Sequence, residues 1–275
     1  MIAFPNAKIN IGLYITSRRS DGYHNIETTM MPTGWCDILE IVPAKGSEST
    51  LTVTGRGVDC PMEKNLVMRA YRAMESRYNL PAVDIYLHKI IPDGAGLGGG
   101  SADAAFTIKV LNEMFELGLE ESTMADVAST IGSDCPFFIY NRPMLATGTG
   151  TTLSPIEINL QGRTLVIVKP DAHVSTAEAY GGCNPQSTEV ALPEILAMTP
   201  PKEWNQKGVK NDFEATVFKH HPEIGDVKSR IAEMGAEYTA MSGSGAAVFG
   251  IFERDILAEE IEALFPGMAY HVVKL

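Results

Sequence analysis

Apolar and polar positions alternate along residues 51–57 (LTVTGRG) and 84–91 (DIYLHKII), and both segments are rich in β-branched side chains, so they predict strands. Between them, residues 64–78 set Leu66, Met68 or Arg69, Ala70, Ala73 and Met74 near helical spacing. Residues 101–117 predict the clearest helix, stopped by Gly118, and residues 122–131 a second one that opens on Ser122 and ends before Gly132. The stretch ATGTGTTLSP (146–155) reads as a turn-rich crossover, and a domain boundary falls after it, giving domains 1–155 and 156–275. The second half reads strand 164–169, helix 175–181, a mixed Pro-rich region 185–205, and helix 211–219. Helix 222–234, strands 237–241 and 246–252, helix 254–264 and strand 269–274 follow. Strand 164–169 with the last five elements is the split β-α-β-β-α-β, or ferredoxin-like, unit with extra helices in its first connection. The expected class is α/β, an N-terminal domain of mixed sheet and helices followed by this unit.

With 275 residues the chain is long enough for two cores. No stretch reaches the roughly 18 apolar residues of a membrane span. The opening MIAFPNAKIN lacks a charged segment followed by a long apolar one, so no leader and a cytoplasmic location are expected. Cys36, Cys60, Cys135 and Cys183 form no C-x-x-C pair and share no metal-ligand spacing with the histidines, which predicts reduced thiols and no zinc. A formal charge of −12 without a lysine or arginine run argues against a nucleic-acid partner. The same acidity means that any phosphate site has to be local, built from backbone N–H groups and a few cations.

IIPDGAGLGGGSADAA, residues 90–105, supplies such a site. It follows a predicted strand and opens a predicted helix at Ser101. Glycines 94, 96, 98, 99 and 100 remove Cβ atoms, so the backbone can take positive φ and approach a ligand. Successive N–H groups form an anion nest, and the free N–H groups of the helix start add to it. A Walker A loop is excluded because no Gly-Lys-Ser/Thr follows. Gly94, Gly96 and Gly99 fit G-x-G-x-x-G, but a dinucleotide fold wants an acidic residue on a second strand about 20 residues on. Glu113 and Glu116 lie in the predicted helix instead, and the loop comes some 90 residues into the chain. A bare strand-to-helix turn needs one or two glycines, not five.

The pattern P-x-G-x-G-L-G-G-G-S-x-D-A-A resembles the phosphate loop of the GHMP kinases. MSGSGAAVFG (241–250) resembles their third motif and PNAKINIGLYITSRRSDGYHNIETTM their first. P-x-A-K-I-N, then R-R-x-D-G-Y-H, with KNLVMRA (64–70) and IGSDCPFFIY (131–140), is similar to the branch of that family that phosphorylates 4-diphosphocytidyl-2-C-methyl-D-erythritol in non-mevalonate isoprenoid synthesis. The resemblance implies a two-domain kinase fold, ATP and Mg²⁺, and a monomer or weak homodimer with a small cytidine diphosphate substrate. It implies Asp134 as general base toward the substrate hydroxyl at position 2, and Lys8 neutralising charge near that hydroxyl and the γ-phosphate. Asn10 would hold the methylerythritol part. Tyr23 and Tyr180 would sandwich the cytosine, with His24 bonding its polar edge. Asn65, Leu66 and Lys89 would lie near the adenosine. Pro92, Gly94, Ala95, Gly96, Leu97, Gly98, Gly99, Gly100, Ser101 and Ala102 would hold the phosphates, with Ser101 facing Mg²⁺ and no carboxylate identified as a metal ligand. Gly243, Ser244 and Gly245 would form the second glycine loop.

Departures from the family pattern are small. Ser133 and Cys135 flank the expected base where alanine and valine are common, Ser244 replaces threonine, and Asp93 beside the phosphate loop has to point outward. A homoserine or mevalonate kinase has no use for the base-binding Asp21-Gly22-Tyr23-His24. A nucleotide sensor on the same fold could dispense with Lys8 or Asp134, and both are present.

Overall fold

The computed structural model describes all residues except 58–59, 184 and 186–190. The first half runs β1 (Ile2–Ala3), β2 (Asn6–Arg18), β3 (His24–Cys36), β4 (Ile38–Pro43), β5 (Thr50–Gly55), α1 (Leu66–Tyr78) and β6 (Val83–Lys89). It continues through α2 (Gly99–Met114), α3 (Glu121–Ser129), α4 (Cys135–Tyr140), β7 (Met144–Gly148) and β8 (Thr152–Pro155). The second half runs β9 (Thr164–Lys169), α5 (Thr176–Gly181), α6 (Leu192–Met198), α7 (Pro201–Trp204), α8 (Glu214–His220) and α9 (Pro222–Glu233). It ends with β10 (Tyr238–Met241), β11 (Val248–Phe252), α10 (Ala258–Leu264) and β12 (Ala269–Lys274). The chain divides into two compact units, each gathered from separate stretches. The first takes Met1–Lys8, Pro32–Asp93 and Gly98–Arg142; the second takes Ile9–Met31, Gly94–Leu97 and Pro143–Leu275.

In the first unit the sheet order is β1-β4-β6-β5, with β5 parallel to β6 and α1 in the crossover between them. β6 buries Val83, Ile85, Leu87 and Lys89 and turns Tyr86 and His88 outward, the alternation its sequence predicts. α1 starts where the Asn65 side chain accepts the Val67 N–H at 3.0 Å and stops at Asn79, whose φ is +53°. Its buried face carries Val67, Ala70, Tyr71 and Met74, the i, i+3, i+4, i+7 set of an amphipathic helix. The helix expected from residue 101 begins two residues earlier, because Gly98 at φ +71° already turns the chain into it.

In the second unit, β7 and β8 pair as an antiparallel hairpin at the edge of the sheet β2-β3-β7-β8. The expected crossover at 146–155 is therefore a hairpin: Gly148 and Gly150 take φ of +65° and +89° in the turn, and the β-branched threonines beside them extend. The other sheet has the order β10-β11-β9-β12, antiparallel throughout, which is the ferredoxin-like order expected for β-α-β-β-α-β. A core of Val166, Val168, Val217, Ile224, Val227, Ile231, Val248, Phe252 and Phe265 fills the space between it and its helices. Gly250 lets α9 come close, since a Cβ there would stand 2.4 Å from the Ile231 side chain. The Pro-rich region resolves into α6 and α7, with residues 186–190 outside the described ones. Among the described residues no helix is long and apolar enough to cross a membrane.

Candidate active site

In the first unit, Lys8 and Asp134 come together. The Lys8 ammonium stands 3.8 Å from the Asp134 carboxylate, with side chains 4% and 33% exposed. Lys8 ends the first unit's part of β2, and Asp134 sits in the turn that opens α4, where Pro136 favours the first helical turn. Burial lowers the pKa of Lys8, and Asp134 acts against that shift. Gly98 makes room for both partners of this corner: a Cβ there would lie 2.9 Å from the Phe138 ring and 3.4 Å from Lys8 Cε. Burial pushes the Cys135 thiol up to about 11, and Ser101, in the first turn of α2, works the other way.

Leu66 lies beside Gly100, at 3.7 Å from the position of a Cβ there, and Asn65 caps α1 one residue before it. Lys89, expected beside the adenosine, has its ammonium 3.4 Å from the corresponding point on Gly99, below the first turn of α2. It pairs there with Asp37 and, at 2.7 Å, with Asp103. Pro92 is buried and Asp93 is exposed. Ala102 is buried and donates its N–H to Gly98 O at 2.9 Å, continuing the helix out of the loop.

The second unit holds the other half of the loop, Gly94 to Leu97, against the C-terminal glycine loop. Gly94 and Gly96 have φ of +59° and +71°, and a Cβ on Gly96 would come within 2.0 Å of Ser242 O. Ser242 Oγ donates to Gly96 O at 2.9 Å, and the Ala247 N–H donates to Ala95 O at 3.1 Å. Gly243 and Gly245 also take positive φ, +55° and +94°, and Ser244 between them is partly exposed. Asn10 is buried, donates from Nδ2 to Thr28 Oγ1 at 3.0 Å, and places Oδ1 3.4 Å from the Cβ position of Gly243. Farther along, His24 stacks on Tyr180 with centroids 5.0 Å apart and planes at 19°, and Tyr180 meets the Phe213 ring edge-on at 4.8 Å. Tyr23, in the turn before β3, is 67% exposed. Arg19 and Asp21 brace that turn: their side chains pair at 2.8 Å, and Asp21 accepts the Tyr23 N–H at 3.1 Å. The hydrogen bond from Arg19 holds the Asp21 carboxyl below its usual range.

Three residues of this region escape a sequence reading. Asn211 is buried and donates from Nδ2 to Met241 O (2.8 Å) and Gly243 O (2.7 Å), while its Oδ1 accepts the Phe213 N–H at 3.0 Å. Glu214 accepts the Met241 N–H at 2.8 Å and pairs with Lys228 at 2.5 Å. His173 packs on the first glycine loop, its Nδ1 2.8 Å from the Cβ position of Gly94. Lys169 fixes the turn before it by donating to Pro170 O and Ala172 O at 2.8 and 2.7 Å. The proline after Lys169 was the one local signal of that turn.

Two glycine loops meet in the second unit and a buried lysine faces a carboxylate in the first; the family that the chain matches is that of the GHMP phosphotransferases. The GHMP kinases N-terminal domain model matches residues 65–142 and the GHMP kinases C-terminal model residues 201–266. The chain belongs to the GHMP kinase family and is a kinase. It is 51% identical over 254 residues to a 4-diphosphocytidyl-2-C-methyl-D-erythritol kinase of Parabacteroides distasonis, covering 92% of each chain. To the Bacteroides fragilis protein of the same name it is 46% identical, with 96% and 97% covered. A crystal structure of 4-(cytidine 5'-diphospho)-2C-methyl-D-erythritol kinase superposes with a TM-score of 0.80 at 31% identity, covering 99% of this chain and 98% of that one. A homoserine kinase from Cytophaga hutchinsonii, at 17% identity and a TM-score of 0.71, shares the fold.

Proposed function

We propose that the protein transfers the γ-phosphoryl group of ATP to the 2-hydroxyl of 4-diphosphocytidyl-2-C-methyl-D-erythritol, giving ADP and the 2-phosphate, in the cytoplasm, as a monomer or weak homodimer. The observation that carries the chemistry is the Lys8–Asp134 pair at 3.8 Å, with the lysine buried. Asp134 accepts the hydroxyl proton as the oxygen attacks phosphorus and the bond to the ADP oxygen breaks. Lys8 offsets the negative charge that gathers between hydroxyl and γ-phosphate. In a loose phosphoryl-transfer transition state most of the acceleration comes from such positioning and charge stabilisation.

In this reading Gly94 to Ala102 and Gly243 to Gly245 hold the phosphates with backbone N–H groups, which suits a chain of net charge −12. Asn65 and Leu66 serve the nucleotide directly from the first unit, and Lys89, its ammonium taken up by Asp37 and Asp103, serves it from behind the loop. Asn10 binds the methylerythritol part, Tyr23 and Tyr180 bracket the cytosine, and His24 bonds its edge. Among the described residues no group of three or more His, Cys, Asp or Glu could hold a metal ion. Mg²⁺ would be carried by ATP itself, with the Ser101 hydroxyl as the protein's oxygen donor, and would neutralise phosphate charge. The division into functional halves 1–155 and 156–275 is part of the same reading, supported by family matches that end at 142 and resume at 201.

The test offers purified protein ATP with 4-diphosphocytidyl-2-C-methyl-D-erythritol, homoserine or mevalonate, and follows ADP release. Turnover of the cytidyl substrate alone is expected. Turnover of either other alcohol in its place would overturn the cytosine assignment, and none with any of the three would remove the kinase reading.

A further inference from the structure

The glycine loop leaves β6 and enters α2, and one buried group of three ionisable side chains ties these two stems together. Lys89 is the last residue of β6, and its ammonium bonds Asp37 and, at 2.7 Å, Asp103 of α2. Asp37, between β3 and β4, is fully buried, and its second oxygen accepts the N–H groups of Ile90 and Ile91 at 2.5 and 2.8 Å. One carboxylate thus fixes the three residues that lead into the loop. Asp103 lies one helical turn beyond Gly99 and is 2% exposed. It fixes the helix that leads out. Its Oδ1 is buried without a hydrogen-bond partner, so the group is not arranged for best stability. Burying three ionisable groups is expensive enough that apolar packing of the same volume is often the more stable choice. What such a group supplies is a defined geometry, and here that geometry belongs to both ends of the loop.

We propose that Asp37, Lys89 and Asp103 form a clamp that fixes the conformation of the glycine loop by joining its entering strand to its leaving helix. The consequence for ATP rests on the reading of that loop as the phosphate site. All three act through the loop backbone and are positioning residues. The clamp presets the loop N–H groups, so the binding of ATP does not have to order them. It therefore bears on ATP affinity more than on the chemical step.

Asp103→Leu tests this directly. It cuts the helix from the clamp and leaves Lys89 and Asp37 as a neutral pair. Asp103→Asn is the conservative control, since its amide oxygen can still accept from Lys89. Hydrogen exchange is read in nucleotide-free protein at the amides of residues 90–100 and, for comparison, of α1. In Asp103→Leu the loop amides should exchange roughly tenfold faster while α1 stays as in the natural protein. The KM for ATP should rise by about fivefold or more with kcat within about twofold. Asp103→Asn should restore most of both. Should Asp103→Leu fail to fold, Asp103→Ala gives the same comparison. Unchanged loop exchange, an equal rise in α1, or a leucine variant no different from the asparagine one would each overturn the clamp. Faster loop exchange with an unmoved ATP KM would keep the clamp and instead remove the loop from the ATP site.

Discussion

Lys8 is subject to two opposed influences, burial that lowers its pKa and the Asp134 carboxylate that raises it. A lysine in that balance is held close to a partly exposed carboxylate, and the two can converge on one hydroxyl. Asp134→Asn keeps the shape and removes the base, so it should leave nucleotide binding nearly intact and lower kcat about 10²-fold or more. Steady-state kinetics beside a nucleotide titration checks this, and near-normal turnover would remove Asp134 from the base role. Both residues could be singled out in the sequence because each sits in a short motif with a chemical reason for its type, and the fold brings them within 3.8 Å of each other. Asn211 was not. Its work is to hold Met241 O and Gly243 O, 30 and 32 residues farther along, and nothing near residue 211 announces that. His173 was missed for the same reason, since it meets Gly94 only after the chain has folded.

At the scale of elements, α2 joins the glycine loop to the buried ionisable groups behind it. Burial and the negative charge of Asp37 push the Asp103 carboxyl up to about 7, with burial the larger cause, against the attraction of Lys89. The folded protein thus keeps a proton on Asp103 up to about pH 7, while the unfolded chain gives it up near its ordinary value of 3.8. The folded state binds more protons in that window, so this group's contribution to stability falls as pH rises from about 4 to 7. Melting temperatures of the natural protein and Asp103→Asn across that range should show it. The natural protein should lose stability relative to the variant as pH rises, and parallel curves would contradict the assignment. Amphipathic elements such as β6 and α1 were readable from their alternation and spacing. β2 was not, because residues 6–15 are buried throughout, with Asn6, Lys8 and Asn10 among them, so no polar face marks a strand.

At the scale of the molecule, the ferredoxin-like sheet was legible because its order follows from element type and right-handed connection alone. The two compact units were not, since each is gathered from separated stretches and the boundary crosses the glycine loop twice, before Gly94 and after Leu97. The acidity of the whole chain is consistent with anion sites made of backbone rather than of a basic surface. The measurement that tests the account most directly is ³¹P and ¹³C NMR of the product formed from ATP and 4-diphosphocytidyl-2-C-methyl-D-erythritol by the purified protein. The account predicts one new phosphomonoester, on the 2-hydroxyl, formed in equal amount with ADP. A phosphate on another hydroxyl, or ADP without any new phosphomonoester, would contradict it.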